Sequence, residues 1–172
     1  MAMKWFTNYR FWAAAITGIV VFIVLTMPVG DSKEHSRATA CLSNLKQLSQ
    51  AMLLYENEQE RLPQTSNWMD ATLGYIKHAD DESSPDWKIK CPGITTSQRE
   101  SQNFGYAMKS KLGGINSTHV EKPETEALVF DSLLLAKNAT TNQVAVPNFE
   151  RHAGIQNAAY LDGHAKRLKQ LR

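Results

Sequence analysis

Cysteine is scarce in this chain: Cys41 and Cys91 are the two it has, and they stand far apart. That separation is not the short spacing of a zinc knuckle, whose cysteines lie two to four residues apart. The sequence also lacks a Gly-x-Ser-x-Gly elbow and a His-Glu-x-x-His helix, so the common hydrolase signatures are missing. Ser132 beside Asp131, with His152 as a base, is the nucleophile arrangement that can be drawn, and the expectation is a non-enzyme. An excess of one charge is missing too. Lys plus Arg is 19 and Asp plus Glu is 17, a net +2, and Lys4 and Arg10 precede the first acid, Asp31. The remainder is formally neutral, which argues against a nucleic-acid partner, because such binding needs a sizeable cationic field. Repeats and low-complexity tracts are absent. With 42% hydrophobic and 21% charged residues, a disordered or collagen-like chain is excluded. The 172 residues suit one domain, or a small domain with an anchor.

One long uncharged run is present. Residues 11–27 read FWAAAITGIVVFIVLTM, with Thr17 and Thr26 able to bond back to helix carbonyls. Trp5, Phe6, Tyr9 and Trp12 stand where an interfacial aromatic belt would lie, and Lys4 and Arg10 precede the run. The expectation is a membrane anchor bounded by Phe11, Trp12 and Met27, with residues 1–10 cytoplasmic, 11–29 transmembrane and the rest outside. The alternatives are a cleaved signal peptide, for which no A-x-A-like site follows, and a buried helix.

Residues 30–62 predict an amphipathic helix leading into a head. Asp31 and Glu34 match a capping pattern, and Cys41, Leu45, Leu48, Met52 and Tyr55 form one stripe at helical period, widened by Leu42, Leu53 and Leu54. Pro63 marks its end. The stripe packs on the protein's own head or on a partner helix. Residues 63–172 then predict an α+β head. Residues 66–78 predict a short helix with Trp68, Met69, Leu73 and Ile76 on its apolar face, and 79–86 a loop. Short strands are expected at 87–91, 104–108 and 127–130, with a turn at Gly113 to Ser117. Residues 158–161 and 164–168 flank Asp162-Gly163, which predicts a two-residue hairpin.

Four polar residues are candidates: Asp131 follows an expected strand, Asp162 and His164 sit around the hairpin turn, and His152 precedes them. Carboxylate and imidazole groups together suit a divalent metal. The plainer reading is structural, since a turn Asp bonds its own backbone and a buried His finds a carbonyl or carboxylate. With both cysteines outside the cytoplasm, Cys41 and Cys91 are expected to be linked; closing so long a loop contributes roughly 4 kcal/mol in the chain-entropy model. The alternative is two buried thiols acting as small hydrophobes.

The order of the segments resembles one family. CLSNLKQLSQAMLLYENEQERLP (41–63), KCPG (90–93), YAM (106–108), KPETEALVFDS (122–132) and RHAGIQNAAYLDGHAKRL (151–168) follow one another, and in the last His152 is followed by nine residues and then Asp162-Gly163. This resembles bacterial pseudopilin-like proteins with a prepilin-type, His-nine-residues-Asp-Gly processing-associated domain. The junction here is Arg10-Phe11, without the family's usual Gly-Phe, and no Glu follows in the apolar run. The resemblance implies an α+β, pilin-like fold: a long N-terminal helix, with a membrane half and an amphipathic half, packed on a small antiparallel sheet. It gives His152, Asp162 and Gly163 a structural role. It implies a single-pass protein of the bacterial inner membrane with a periplasmic head. The implied function is a non-enzymatic structural protein of an envelope assembly or of type II secretion, type IV pilin-like in kind. The alternative is an envelope binding module that holds a partner or small ligand on its head. The implied partners are membrane lipid and other pilin-like or envelope proteins, with further copies of itself among the candidates. No cofactor is expected, with calcium the ion if one is bound.

Overall fold

The computed structural model describes residues 5–26, 30–76, 89–94, 103–145 and 151–168. The chain divides into two compact units, Met1–Ser32 and Lys33–Arg172.

The first unit holds helix α1 (Trp5–Thr26). Thr17 and Thr26 donate their hydroxyls to the carbonyls of Ala13 and Phe22, both at 2.8 Å, so neither polar group interrupts the helix. Trp12, Ile16, Ile19 and the run from Val20 to Val24 are exposed. Among the described residues no helix is long and apolar enough to cross a membrane. Helix α1 carries Arg10 within it and stops at Thr26. Its uncharged part, from Phe11, rises roughly 24 Å at 1.5 Å per residue, against a ~30 Å hydrocarbon core. Met27 lies outside the described residues. These findings correct the expected transmembrane anchor, and with it the single-pass inner-membrane location with a cytoplasmic N-terminus and a periplasmic head.

Helix α2 (Gly30–Gln59) carries the predicted stripe. Cys41, Leu45, Leu48 and Met52 are fully buried and belong to one core cluster with Trp68, Tyr106, Met108, Val129 and Leu161. Leu54, expected to widen the stripe, is instead about half exposed. The helix stops before Pro63 acts. Glu60 takes a left-handed conformation (φ 57°), the common C-terminal exit of a helix, and Asn116 Nδ2 donates to its carbonyl at 2.8 Å. Leu62 then turns into the core, its N–H bonded to the Ile115 carbonyl at 2.8 Å.

Helix α3 (Trp68–Thr72) runs on into a 3-10 turn, Leu73–Tyr75, within the predicted 66–78. Residues 79–86 and most of the strand expected at 87–91 lie outside the described residues, and Ile89 to Cys91 form no strand. Among the described residues five strands follow: β1 (Tyr106–Lys109), β2 (Ala127–Asp131), β3 (Thr140–Thr141), β4 (Asn157–Tyr160) and β5 (Ala165–Arg167). Their order is β3-β1-β2-β4-β5. β3 runs parallel to β1, and the other pairings are antiparallel. The fold is therefore α+β with a mixed sheet. This corrects the expected pilin-like arrangement of one long, half-membrane helix on an antiparallel sheet. β3 was not predicted. Its two residues are too few to show alternation, and the Met108 N–H to Ala139 carbonyl bond (3.0 Å) helps place it.

Side chains alternate across the sheet. Tyr106, Met108, Val129 and Ala159 join the cluster that holds α2, while Ala107, Phe130, Ala158 and Tyr160 form a second apolar cluster. The β2–β4 register shifts between Ala127 and Val129, a bulge that lets Leu128 and Val129 share one cluster.

The hairpin at Asp162-Gly163 is present in altered form. Tyr160 N–H bonds the His164 carbonyl (2.8 Å) and Gly163 N–H bonds the Tyr160 carbonyl (2.9 Å). The loop is thus Leu161-Asp162-Gly163, with Gly163 alone at positive φ (85°), a three-residue hairpin rather than the expected two-residue one. Leu161 is pulled out of register because its side chain is buried and its N–H bonds the Glu126 carbonyl at 3.0 Å.

Candidate buried cysteine, histidine and aspartate cluster

Cys41, Cys91, Asp131 and His152 come from four segments and meet in the core. Each offers one ligand atom, and these atoms all lie within 4.8 Å of one another. All four residues have no exposed surface. Cys41 projects from the apolar stripe of α2. Cys91 opens the turn that contains Pro92 and Gly93, held by its N–H to the Phe104 carbonyl (2.8 Å). Asp131 ends β2.

His152 reaches the cluster through a left-handed turn. His152 (φ 56°, ψ 39°), Ala153 (φ 55°, ψ 39°) and Gly154 (φ 80°) all have positive φ. A non-glycine residue pays roughly 1–2 kcal/mol there, so two in a row mark a backbone held by its surroundings. Arg151 supplies part of that hold, donating Nη2 to the carbonyls of Gly105 (3.2 Å) and Ser132. Ala153 is exposed. Ala153→Gly should therefore stabilise the protein by about 0.5–1 kcal/mol, the strain relieved less the added unfolded-state freedom. Urea unfolding of the two proteins measures it, and unchanged or lower stability would contradict the strain.

The two sulfurs are 2.9 Å apart, so the structure brings together the pair expected to be linked. Both are thiols here, since a disulfide bond is about 2.05 Å long. Cys91 Sγ also lies 3.1 Å from His152 Nε2, and the Tyr106 hydroxyl donates to Cys41 Sγ at 3.4 Å. The contact with Cys41 pulls the Cys91 thiol well below its ordinary pKa, helped by His152 and Arg151 and opposed by burial. Burial and the neighbouring Cys91 push the Cys41 thiol far up. Asp131 rises to about 7, chiefly because burial disfavours its charged form and secondly because Cys91 is near.

Asp131 is held on one side only. Its Oδ2 accepts from Asn157 N (2.9 Å) and Asn157 Nδ2 (2.8 Å). Asn157 Nδ2 also donates to the Ala38 carbonyl on α2 (3.1 Å), so this amide ties β2, β4 and α2 together. Asp131 Oδ1 and His152 Nδ1 are buried without a hydrogen-bond partner.

Of the four metal candidates read from the sequence, the fold gathers Asp131 and His152 and separates Asp162 and His164. Those two pair with each other at the exposed hairpin, His164 Nδ1 to Asp162 Oδ1 at 2.5 Å, with the His164 ring stacked on Tyr160 at 4.4 Å. The cysteines replace them in the cluster, which sequence spacing did not reveal. The cluster's donor set can hold a metal, though not the expected kind. Calcium takes six to eight oxygens, whereas two sulfurs, one imidazole nitrogen and one carboxylate suit a softer ion.

An open cavity of about 470 Å³ lies elsewhere, lined by Leu53, Glu56, Asn57, Glu60 and Asn116 to Thr118. Glu56 there accepts the Ser117 N–H at 2.5 Å, which makes it a brace between α2 and the 116–119 turn. Ser132, the candidate nucleophile, uses its hydroxyl to accept the Leu134 N–H at 3.1 Å.

Compared with known proteins, the chain matches no family model, no curated protein and no solved structure. Nothing among known proteins therefore upholds the expected terms pseudopilin-like, type IV pilin-like and type II secretion.

Proposed function

We propose that the chain is a non-enzymatic structural subunit that works by assembling with other protein chains, further copies of itself included. The observation that carries this reading is helix α1. Trp12, Ile16, Ile19, Val20, Val21, Phe22, Ile23 and Val24 are all between about half and 70% exposed. A helix that is apolar all round is stable in water only when something covers it, and neighbouring helices of an assembly supply that cover. The closed core of the head supports the non-enzymatic part. Its nucleophilic and basic side chains, Cys91 and His152, have no exposed surface through which a substrate enters.

Cross-linking the full chain in its native extract, followed by denaturing gels, tests it. A ladder of adducts spaced by the subunit mass is the expected result. A single discrete adduct points instead to a binding module with one partner. A monomer that gives no adduct, with sedimentation unchanged by concentration, overturns the proposal. Val20→Glu and Phe22→Glu should each shorten the ladder while leaving the head's melting transition in place.

A further inference from the structure

We propose that Cys41, Cys91, Asp131 and His152 form a structural zinc site in the core of the head. Four donors are what a closed tetrahedral zinc centre takes, and two thiolates, one imidazole and one carboxylate fall within its usual ligand types. Each side chain comes from a different segment, and their ligand atoms already lie within 4.8 Å of one another. Zinc–sulfur bonds of about 2.3 Å put tetrahedral ligands roughly 3.8 Å apart, and shorter zinc–nitrogen bonds bring that nearer 3.5 Å. The sulfur–sulfur and sulfur–nitrogen contacts of 2.9 and 3.1 Å must therefore open by under an ångström, a side-chain adjustment.

A second observation points the same way. Asp131 Oδ1 is a buried acceptor left without a hydrogen bond. An unpaired buried acceptor is costly, and an ion is one partner that removes the cost. The outer contacts are those a metal centre uses. One carboxylate oxygen of Asp131 is fixed by two bonds from Asn157, leaving the other bare. The Tyr106 hydroxyl supports Cys41 and in turn accepts from Asn44 Nδ2 at 3.4 Å. Such second contacts orient ligands and hold their geometry. Two thiolates and a carboxylate around a divalent ion leave one negative charge, and the Arg151 guanidinium is the adjacent cation. Zinc would then clamp α2 to β2 and to the two turns that carry Cys91 and His152. This goes beyond the assembly reading, and metal content and cross-linking are independent measurements.

The test uses the full chain, purified with a reductant and no chelator. About one zinc per chain by elemental analysis is expected. Replacing the ion with cobalt should give sulfur-to-cobalt charge transfer and the strong visible bands of a tetrahedral site. Asp131→Asn should weaken zinc at least about ten-fold in competition with a chromogenic chelator. Asp162→Asn, in the exposed turn, should leave affinity unchanged. If Asp131→Asn fails to fold, the cobalt spectrum of the unaltered chain still decides. Two titratable thiols with no uptake of zinc or cobalt overturns the site. So does a chain isolated from its native source with the two sulfurs bonded to each other.

Discussion

Gly93→Ala should destabilise the head by about 1–3 kcal/mol or more, the range for forcing an extra methyl into a packed core. A Cβ built on Gly93 lands on the His152 ring, with Nδ1 at 2.7 Å and Nε2 at 2.9 Å. Relief requires the imidazole to withdraw. Its backbone sits in a left-handed turn that fixes where the ring points, and Cys91 Sγ stands 3.1 Å away. A head of this size has on the order of 5–15 kcal/mol in total, so the melting temperature should drop by several degrees. Gly74→Ala is the control. Nothing lies within 4 Å of a Cβ there, and its effect should stay within about 0.5 kcal/mol. His152→Ala is expected to be destabilising alone, yet in the Gly93→Ala background it should cost less than the sum of the two single changes. Additive losses would show that the glycine is required for another reason.

How much of this was legible in the sequence depended on the length scale of the signal. The burial of Cys41, Leu45, Leu48 and Met52 was readable because a helical stripe repeats over many turns. The hairpin was readable because Asp-Gly is a strong local signal, although Leu161 changed its loop length by turning inward. The mixed sheet was not readable, since β3 is two residues long and its parallel pairing with β1 is set by distant contacts. Residues 11–27 looked like an anchor on composition, but the helix they join contains Arg10 and ends at Thr26. The cluster was half legible. Asp131 and His152 were two of the four polar residues read from the sequence as metal candidates. Cys41 and Cys91 were set aside as metal ligands because their spacing suits no compact motif, and only the fold, by packing α2 over the turn at 91–94, makes sequence distance irrelevant. Asn157, which bonds Asp131 and reaches Ala38 on α2, gave no sequence signal at all.

Asp131 supplies the other large effect, and its sign depends on pH. Asp131→Ala removes the acceptor of both Asn157 N–H groups and leaves a cavity, at a cost of about 1–3 kcal/mol for each donor left unpaired. Asp131→Asn keeps an acceptor of the same shape and isolates the charge. In the folded chain the Asp131 carboxyl titrates near 7, raised from 3.8 chiefly by burial. Between those values the folded protein holds a proton that the unfolded chain has released. Raising the pH through this window therefore favours unfolding: the stabilisation is complete below 3.8 and is lost as pH passes about 7. Asparagine does not titrate. In chelator and reductant, the stability of the Asp131→Asn protein relative to the unaltered chain should rise steadily from the acid end of the window to the neutral end. Urea unfolding at both ends measures that difference, and a constant gap would mean that Asp131 ionises normally in the folded state. Adding zinc at the neutral end should reverse the order, because only the carboxylate is a good ligand and a bound ion stabilises the folded state by mass action. Asp131 would then cost stability in the empty core and supply it in the filled one.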